Sequence, residues 1–293
     1  MSLTRPLSKN YTIFTATDQE FLTQYTIVKT EQKIYHTLRI ASAMCLIGHG
    51  AFGIITKAVW CNYLAVIGIG QDTAYTLMPV IGSADILMGL SLLFYPVRAV
   101  FLWLVIWGLA TASMRPLSGE PFAELLERAG NFGAPLAVLI LYPPEKGFRA
   151  WFKKIQPPGS IPPESLKKLK FALQLTAFLL LAGHGWLNLT EKKGLLAQYE
   201  SLGFNDVRTV AHAAGLFELM AATSILIHPL RPLIMLFLIW KIGTELFYPQ
   251  WEIFEWIERG GSYGTLLALW FSSGYFSVKI AERNRKLTSL ADN

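Results

Sequence analysis

Charge is scarce in this 293-residue chain. Lys, Arg, Asp and Glu together supply 16% of it, against about 25% in an ordinary soluble domain. With 53% hydrophobic residues and a mean hydropathy of +0.38, that shortage excludes a fully solvated surface and points to a bilayer. Cysteine is nearly missing too. Cys45 and Cys61 are the only two, and on one continuous helix they would stand about 24 Å apart, too far for a disulfide. No Walker loop, dinucleotide fingerprint, HExxH or CxxC occurs, so soluble-cofactor chemistry has no motif here. The first 35 residues are polar and mixed, so no signal peptide is expected. The alternation of barrel strands is also missing, which leaves helices as the way to satisfy backbone groups in lipid.

What is present is a series of long apolar runs. There are eight, at about 37–58, 76–95, 97–114, 131–143, 170–190, 209–227, 231–248 and 263–280. A helix crosses a bilayer in roughly 20 residues; the fourth run is short and needs its neighbours to finish the span. The expected fold class is therefore all-α, a polytopic membrane helix bundle of about eight transmembrane helices. The net charge of +6 could suggest nucleic acid, but its distribution argues otherwise. Eighteen of the 26 Lys and Arg lie in the N-terminal arm, the turns at Arg98 and Arg231, the 143–170 segment and the C-terminal tail. Seven lie on the other side, and Lys241 falls within a span. The positive-inside rule then puts both termini in the cytoplasm. The lipid bilayer is the expected partner, and nucleic acid is not.

The chain also repeats itself. "GHGAFGIITK" at 48–57 returns as "GHGWLNLTEK" at 183–192. "DILMGLSLLFYPVR" (85–98) matches "ELMAATSILIHPLR" (218–231), Trp107 matches Trp240, and "ELLERAGNFGAPLAVL" (124–139) matches "EWIERGGSYGTLLALW" (255–270). The offset drifts only from 135 to 133 to 131. Four spans per copy is an even number, so the copies should be parallel, related by a pseudo-two-fold axis along the membrane normal. The expected organisation is an arm at 1–36, a first four-helix unit at 37–143, a cytoplasmic linker at 144–169, a second unit at 170–280 and a tail at 281–293.

These residues carry a family resemblance. A glycine-rich first helix ends in lysine (Gly48 to Lys57, Gly183 to Lys192). An acidic residue opens a small-residue second helix (Asp85, Glu218), and a Pro-x-Arg turn follows (Pro96 to Arg98, Pro229 to Arg231). The pattern resembles the DoxX-like family of four-helix membrane proteins, here in tandem over most of residues 37–280. Some members of that family are subunits of quinone-linked oxidoreductases, such as the thiosulfate:quinone type. The resemblance implies a redox-linked subunit of a bacterial inner membrane, working with other membrane redox subunits.

The polar residues inside the spans are the candidate site. His49 lies eight residues before Lys57, and Asp85 eight residues after Leu77, each about 12 Å from the outer end. His184 and Glu218 are placed alike. The expectation is one His–carboxylate pair per copy, in the outer half of the bilayer, with the carboxylate fixing the imidazole tautomer. A packing device that ties two helices would look the same. The copies then diverge. Lys241 and Glu245, one turn apart, replace Gly108 and Ala112, and His212 replaces Pro79. A single active pocket would on this reading lie in the second copy, with His184, Glu218, Lys241 and Glu245 as catalytic candidates. His49, Asp85, His184 and His212 are the cofactor-binding candidates, the cofactor being a quinone or a haem b held between His49 and His184. Glu120, Glu124, Glu127, Glu252, Glu255 and Glu258 read as solvated faces of short outer helices. Whether the chain is an enzyme stays open, beside a proton-coupled transporter and a non-catalytic scaffold.

Overall fold

In the computed structural model the backbone is described over residues 16–142, 146–247 and 253–291, and side chains over 30–142, 146–247 and 253–275. Glu252, the first 15 residues of the expected arm and the end of the tail lie outside these. The described residues form helices with no strands. In chain order they are α1 (Ala16–Ile54), α2 (Trp60–Ala65), α3 (Gln71–Phe94), α4 (Arg98–Leu117), α5 (Ala123–Glu127), α6 (Ala129–Leu141), a 3-10 turn (Phe148–Phe152), α7 (Pro163–Leu189), α8 (Lys193–Ser201), α9 (Val207–Ile227), α10 (Arg231–Leu246), α11 (Ile253–Glu258) and α12 (Gly260–Ala291).

Each apolar run coincides with a helix: α1, α3, α4, α6, α7, α9, α10 and α12. Five of them are long and apolar enough to cross a bilayer, namely α1 from Thr30, α3, α4, α7 and α9. By contrast α6 has 13 residues and α10 has 16. Large apolar side chains stand exposed on the outside of the bundle, among them Leu87, Ile106, Met220 and Ile239, as lipid-facing positions require.

Local chemistry ends the helices. Pro96 keeps Tyr95 out of the helical region, and α3 stops at Phe94; Pro229 acts likewise after α9. At the ends of α1 and α7 the chain turns through a left-handed residue, Thr56 (φ 53°) and Glu191 (φ 55°). Lys57 N–H then donates to Phe52 O at 3.1 Å and Lys192 N–H to Leu187 O at 3.0 Å. Such a helix end satisfies carbonyls that would otherwise be orphaned. It also turns both lysines toward the interior of the bundle.

Packing is close at several glycines between the first and second halves of the chain. A Cβ added to Gly130 on α6 would lie 2.5 Å from Ser262 N on α12. One added to Gly48 would run into the backbone of Glu258, and one added to Gly183 into the backbone of Glu127. Small residues are what allow helices to approach this closely where no hydrophobic force separates lipid from protein. Consequently α5 lies on α7 and α11 on α1, so each short helix packs on the other copy.

Two expected boundaries are not breaks. α1 runs through residue 36 uninterrupted, and Ile34 and Tyr35 are fully buried. The described part of the linker is pinned to the bundle rather than loose. Ile155 N–H donates to Pro96 O at 2.8 Å and Ile161 N–H to Glu31 Oε1 at 2.9 Å. Both isoleucines are buried.

Candidate functional site

Both expected pairs form. His49 Nδ1 lies 2.7 Å from Asp85 Oδ2, and His184 Nδ1 lies 2.6 Å from Glu218 Oε2. An ionised carboxylate only accepts, so Nδ1 donates in each. A tryptophan of the next helix supports each acid: Trp107 Nε1 donates to Asp85 Oδ2 at 3.3 Å, and Trp240 Nε1 to Glu218 Oε1 at 2.8 Å. The matching of Trp107 with Trp240 was visible in the sequence; their role was not. In the second copy Tyr199 OH also donates to Asn188 Oδ1 at 2.7 Å, and Asn188 Nδ2 to Glu218 Oε2 at 3.3 Å.

The second copy is closed. His184, Glu218, Lys241 and Glu245 are all buried. Lys241 Nζ lies 2.7 Å from Glu245 Oε1, so the i,i+4 pair neutralises itself, and Glu245 Oε2 takes Arg259 Nε at 2.8 Å. Glu127, from the first copy, joins them: its Oε1 is 2.6 Å from Arg259 Nη1 and 4.0 Å from Lys241 Nζ. A ring nitrogen of His184 and one oxygen each of Glu127 and Glu245 lie within 4.8 Å of one another. That trio has the donor set of a metal site. Here Lys241 and Arg259 already supply the positive charge that an ion would bring, so the residues are those of an ion-pair cluster. His212 is apart from all this. It is 48% exposed and lies 3.2 Å from Glu191.

Two of the glutamates expected on solvated faces are instead buried. Glu124 and Glu127 are 1% and 2% exposed. Glu124 takes Arg128 Nη1 at 2.7 Å, Lys192 Nζ at 2.7 Å and Arg115 Nη1 at 3.3 Å. Lys57 Nζ lies 3.6 Å from Glu255. Their periodicity marked a polar face correctly, but what that face meets is the opposite copy. Burial pushes the carboxyls of Glu124 and Glu127 up, yet the surrounding cations win. Arg128 holds Glu124 below the ordinary range, and Arg259, Lys192, Arg128 and Lys241 hold Glu127 well below it. Burial likewise raises Glu255, and Arg259 and Lys57 more than offset it.

Among the described residues the layer brings together Asp85, Glu120, Glu124, Glu127, Glu218, Glu245, Glu255 and Glu258 with Lys57, Arg115, Arg128, Lys192, Lys241 and Arg259.

A cavity opens in the first copy, with Glu255 and Glu258 of the second on its wall, whereas His184, Glu218, Lys241 and Glu245 are packed into the ion-pair cluster. About 120 Å³ opens beside His49. Phe52, Trp60, Tyr63 and Trp107 form its apolar wall, and Arg115, Arg128, Glu255 and Glu258 its polar one. The Trp60 ring packs on His49 with centroids 4.5 Å apart. Ala112 lines the cavity, where the second copy has Glu245. His184 is not on its wall, so the two histidines do not meet at one cavity. A polar vestibule lined by Lys57, Arg115, Glu124 and Lys192 adjoins it through shared walls at Lys57, Tyr63 and Arg128. Comparison with family profiles, curated proteins and solved structures gives no match.

Proposed function

We propose that the chain is an integral membrane protein of eight spans, built as two parallel four-helix copies of the DoxX-like kind, with both termini in the cytoplasm of a bacterial cell. In this reading the first copy binds a small ligand in the outer half of the bilayer, and His49 exchanges a proton with it. The observation that carries the binding reading is the cavity of about 120 Å³ whose wall joins aromatic rings to the His49–Asp85 pair. Concave sites with an apolar wall and a few convergent polar groups are where small molecules bind. The matched contacts of Gly48 and Gly183 support the pseudo-two-fold, and the carboxylate-paired imidazole on the cavity wall supports proton exchange. The second copy serves as the rigid counterpart.

Redox work with a quinone is a second reading with its own observation. Trp60, Tyr63 and Trp107 line the cavity beside His49, which gives a flat ring aromatic surface to pack against with one imidazole at its edge. A haem between both histidines has no comparable support. The test is extraction of the protein purified in mild detergent, followed by mass spectrometry and an optical spectrum. A small ligand present in wild type and lost in His49→Ala supports the site; equal content in both overturns it. A quinone in the extract selects the redox reading. A reporter fused after Asn293 that reads extracytoplasmic overturns the topology.

A further inference from the structure

The two copies hold matching groups, but one has its space filled and the other does not. In the second copy Lys241 and Glu245 do the filling. Their ammonium and carboxylate touch at 2.7 Å. The carboxylate reaches Arg259 Nε at 2.8 Å, and the ammonium stands 4.0 Å from Glu127. A cation and an anion in mutual contact are thus clamped between an arginine and a glutamate.

The corresponding clamp in the first copy is Arg128 and Glu258, and both line the His49 cavity. The correspondence is structural as well as sequential, because Gly183 packs on the Glu127 backbone as Gly48 packs on that of Glu258. Gly108 and Ala112 stand where Lys241 and Glu245 would be. Arg128 spends Nη1 on Glu124 and Glu127. No ion pair among the described residues engages Glu258.

We propose that the His49 cavity binds a small zwitterion of the α-amino-acid type, its ammonium toward Glu258 and its carboxylate toward Arg128. The proposal rests on the reading of that cavity as a ligand site and names the ligand's class. Lys241 and Glu245 are the internal template for it. A buried charge is costly unless it is paired, and a zwitterion pairs with both walls without changing the net charge of the layer. Trp60, Phe52 and Tyr63 then face the ligand's apolar substituent. A neutral ring or a lone acid leaves Glu258 without an ion-pair partner, and a lone amine makes no use of the Arg128 nitrogens other than Nη1, which Glu124 and Glu127 already hold.

The test follows tryptophan emission and melting temperature of the full chain in mild detergent. The probes are leucine and phenylalanine, isoamylamine and isocaproate as their single-charge counterparts, and a short-chain ubiquinone. The expected result is a saturable response to an amino acid at concentrations at least about tenfold below those needed for the amine or the acid. That ratio corresponds to about 1.4 kcal/mol. Glu258→Gln should weaken the response by a similar factor. Ala112→Glu, and Gly108→Lys with Ala112→Glu, should abolish it by rebuilding the filled arrangement; the single substitution suffices if the double variant does not fold. An equal response to the amine or the acid, or one unchanged in Glu258→Gln and Ala112→Glu, overturns the proposal. A response to the quinone alone, lost in His49→Ala, overturns the zwitterion but keeps the site. Silence with every probe overturns both.

Discussion

Lys241 is fully buried on α10, and its removal has a specific cost. Lys241→Met leaves Glu245 with Arg259 alone and Glu127 with one fewer cation. Breaking a buried pair by removing one partner costs about 3–5 kcal/mol, whereas replacing both partners by apolar residues is often neutral. The expected outcome is a large fall in the melting temperature of Lys241→Met, recovered for the most part in Lys241→Met with Glu245→Leu. Thermal unfolding in detergent at matched protein concentration checks this. The damage belongs to stability, because the cluster is closed. His49 differs: it is 15% exposed at the side chain and borders the cavity, so His49→Ala should alter ligand content more than stability. Sequence reasoning foresaw both His–acid pairs, because equal depth on consecutive helices depends only on rise per residue. It misjudged Glu124 and Glu127, because their partners come from helices distant in the chain.

At the scale of elements, α2 and α8 occupy matching places but are held differently. α8 buries Leu195, Gln198 and Tyr199, and Gln198 Nε2 donates to Thr244 O at 2.5 Å. α2 buries no residue. Segments with few buried contacts open at low free energy. Amide hydrogen exchange should therefore be faster across residues 60–65 than across 193–201, and equal protection would contradict α2 as the more loosely held of the two helices. Close packing predicts a second effect. Gly130→Ala and Gly183→Ala each force a methyl against backbone of the opposite copy. Overpacking of this kind costs about 1–3 kcal/mol. Gly70→Ala, where a Cβ meets nothing within 4 Å, is the control and should melt near wild type.

For the whole molecule, the charged layer sets an acid limit. The carboxyls of Glu124, Glu127 and Glu255 are held below their ordinary value of 4.5 in the folded chain. The unfolded chain therefore binds protons more readily in that range, and stability rises with pH there. The contribution of these groups is fully present above their unfolded values, near about 4.3, and is lost as pH falls through the lower folded ones. Melting temperature should hold steady from neutral pH to about 5 as far as these glutamates are concerned, then drop steeply. Glu127→Gln should blunt the drop while lowering the plateau. A pH-independent melting temperature down to about 3 would contradict the layer as the tie between copies.

The sequence by itself determined where the helices lie, that two stretches match, and that each histidine finds a carboxylate on the following long helix. Those are local properties: apolar run length, proline stops and a fixed rise per residue. Only the tertiary structure decided that α5 and α11 pack on the opposite copies, that Glu127 completes the second copy's cluster, and that the cavity lies at His49. The physical reason is that each of these depends on how closely helices distant in the chain approach. Bare glycine surfaces at Gly48, Gly130 and Gly183 set that approach, and a periodicity records that a face is polar without naming what it meets.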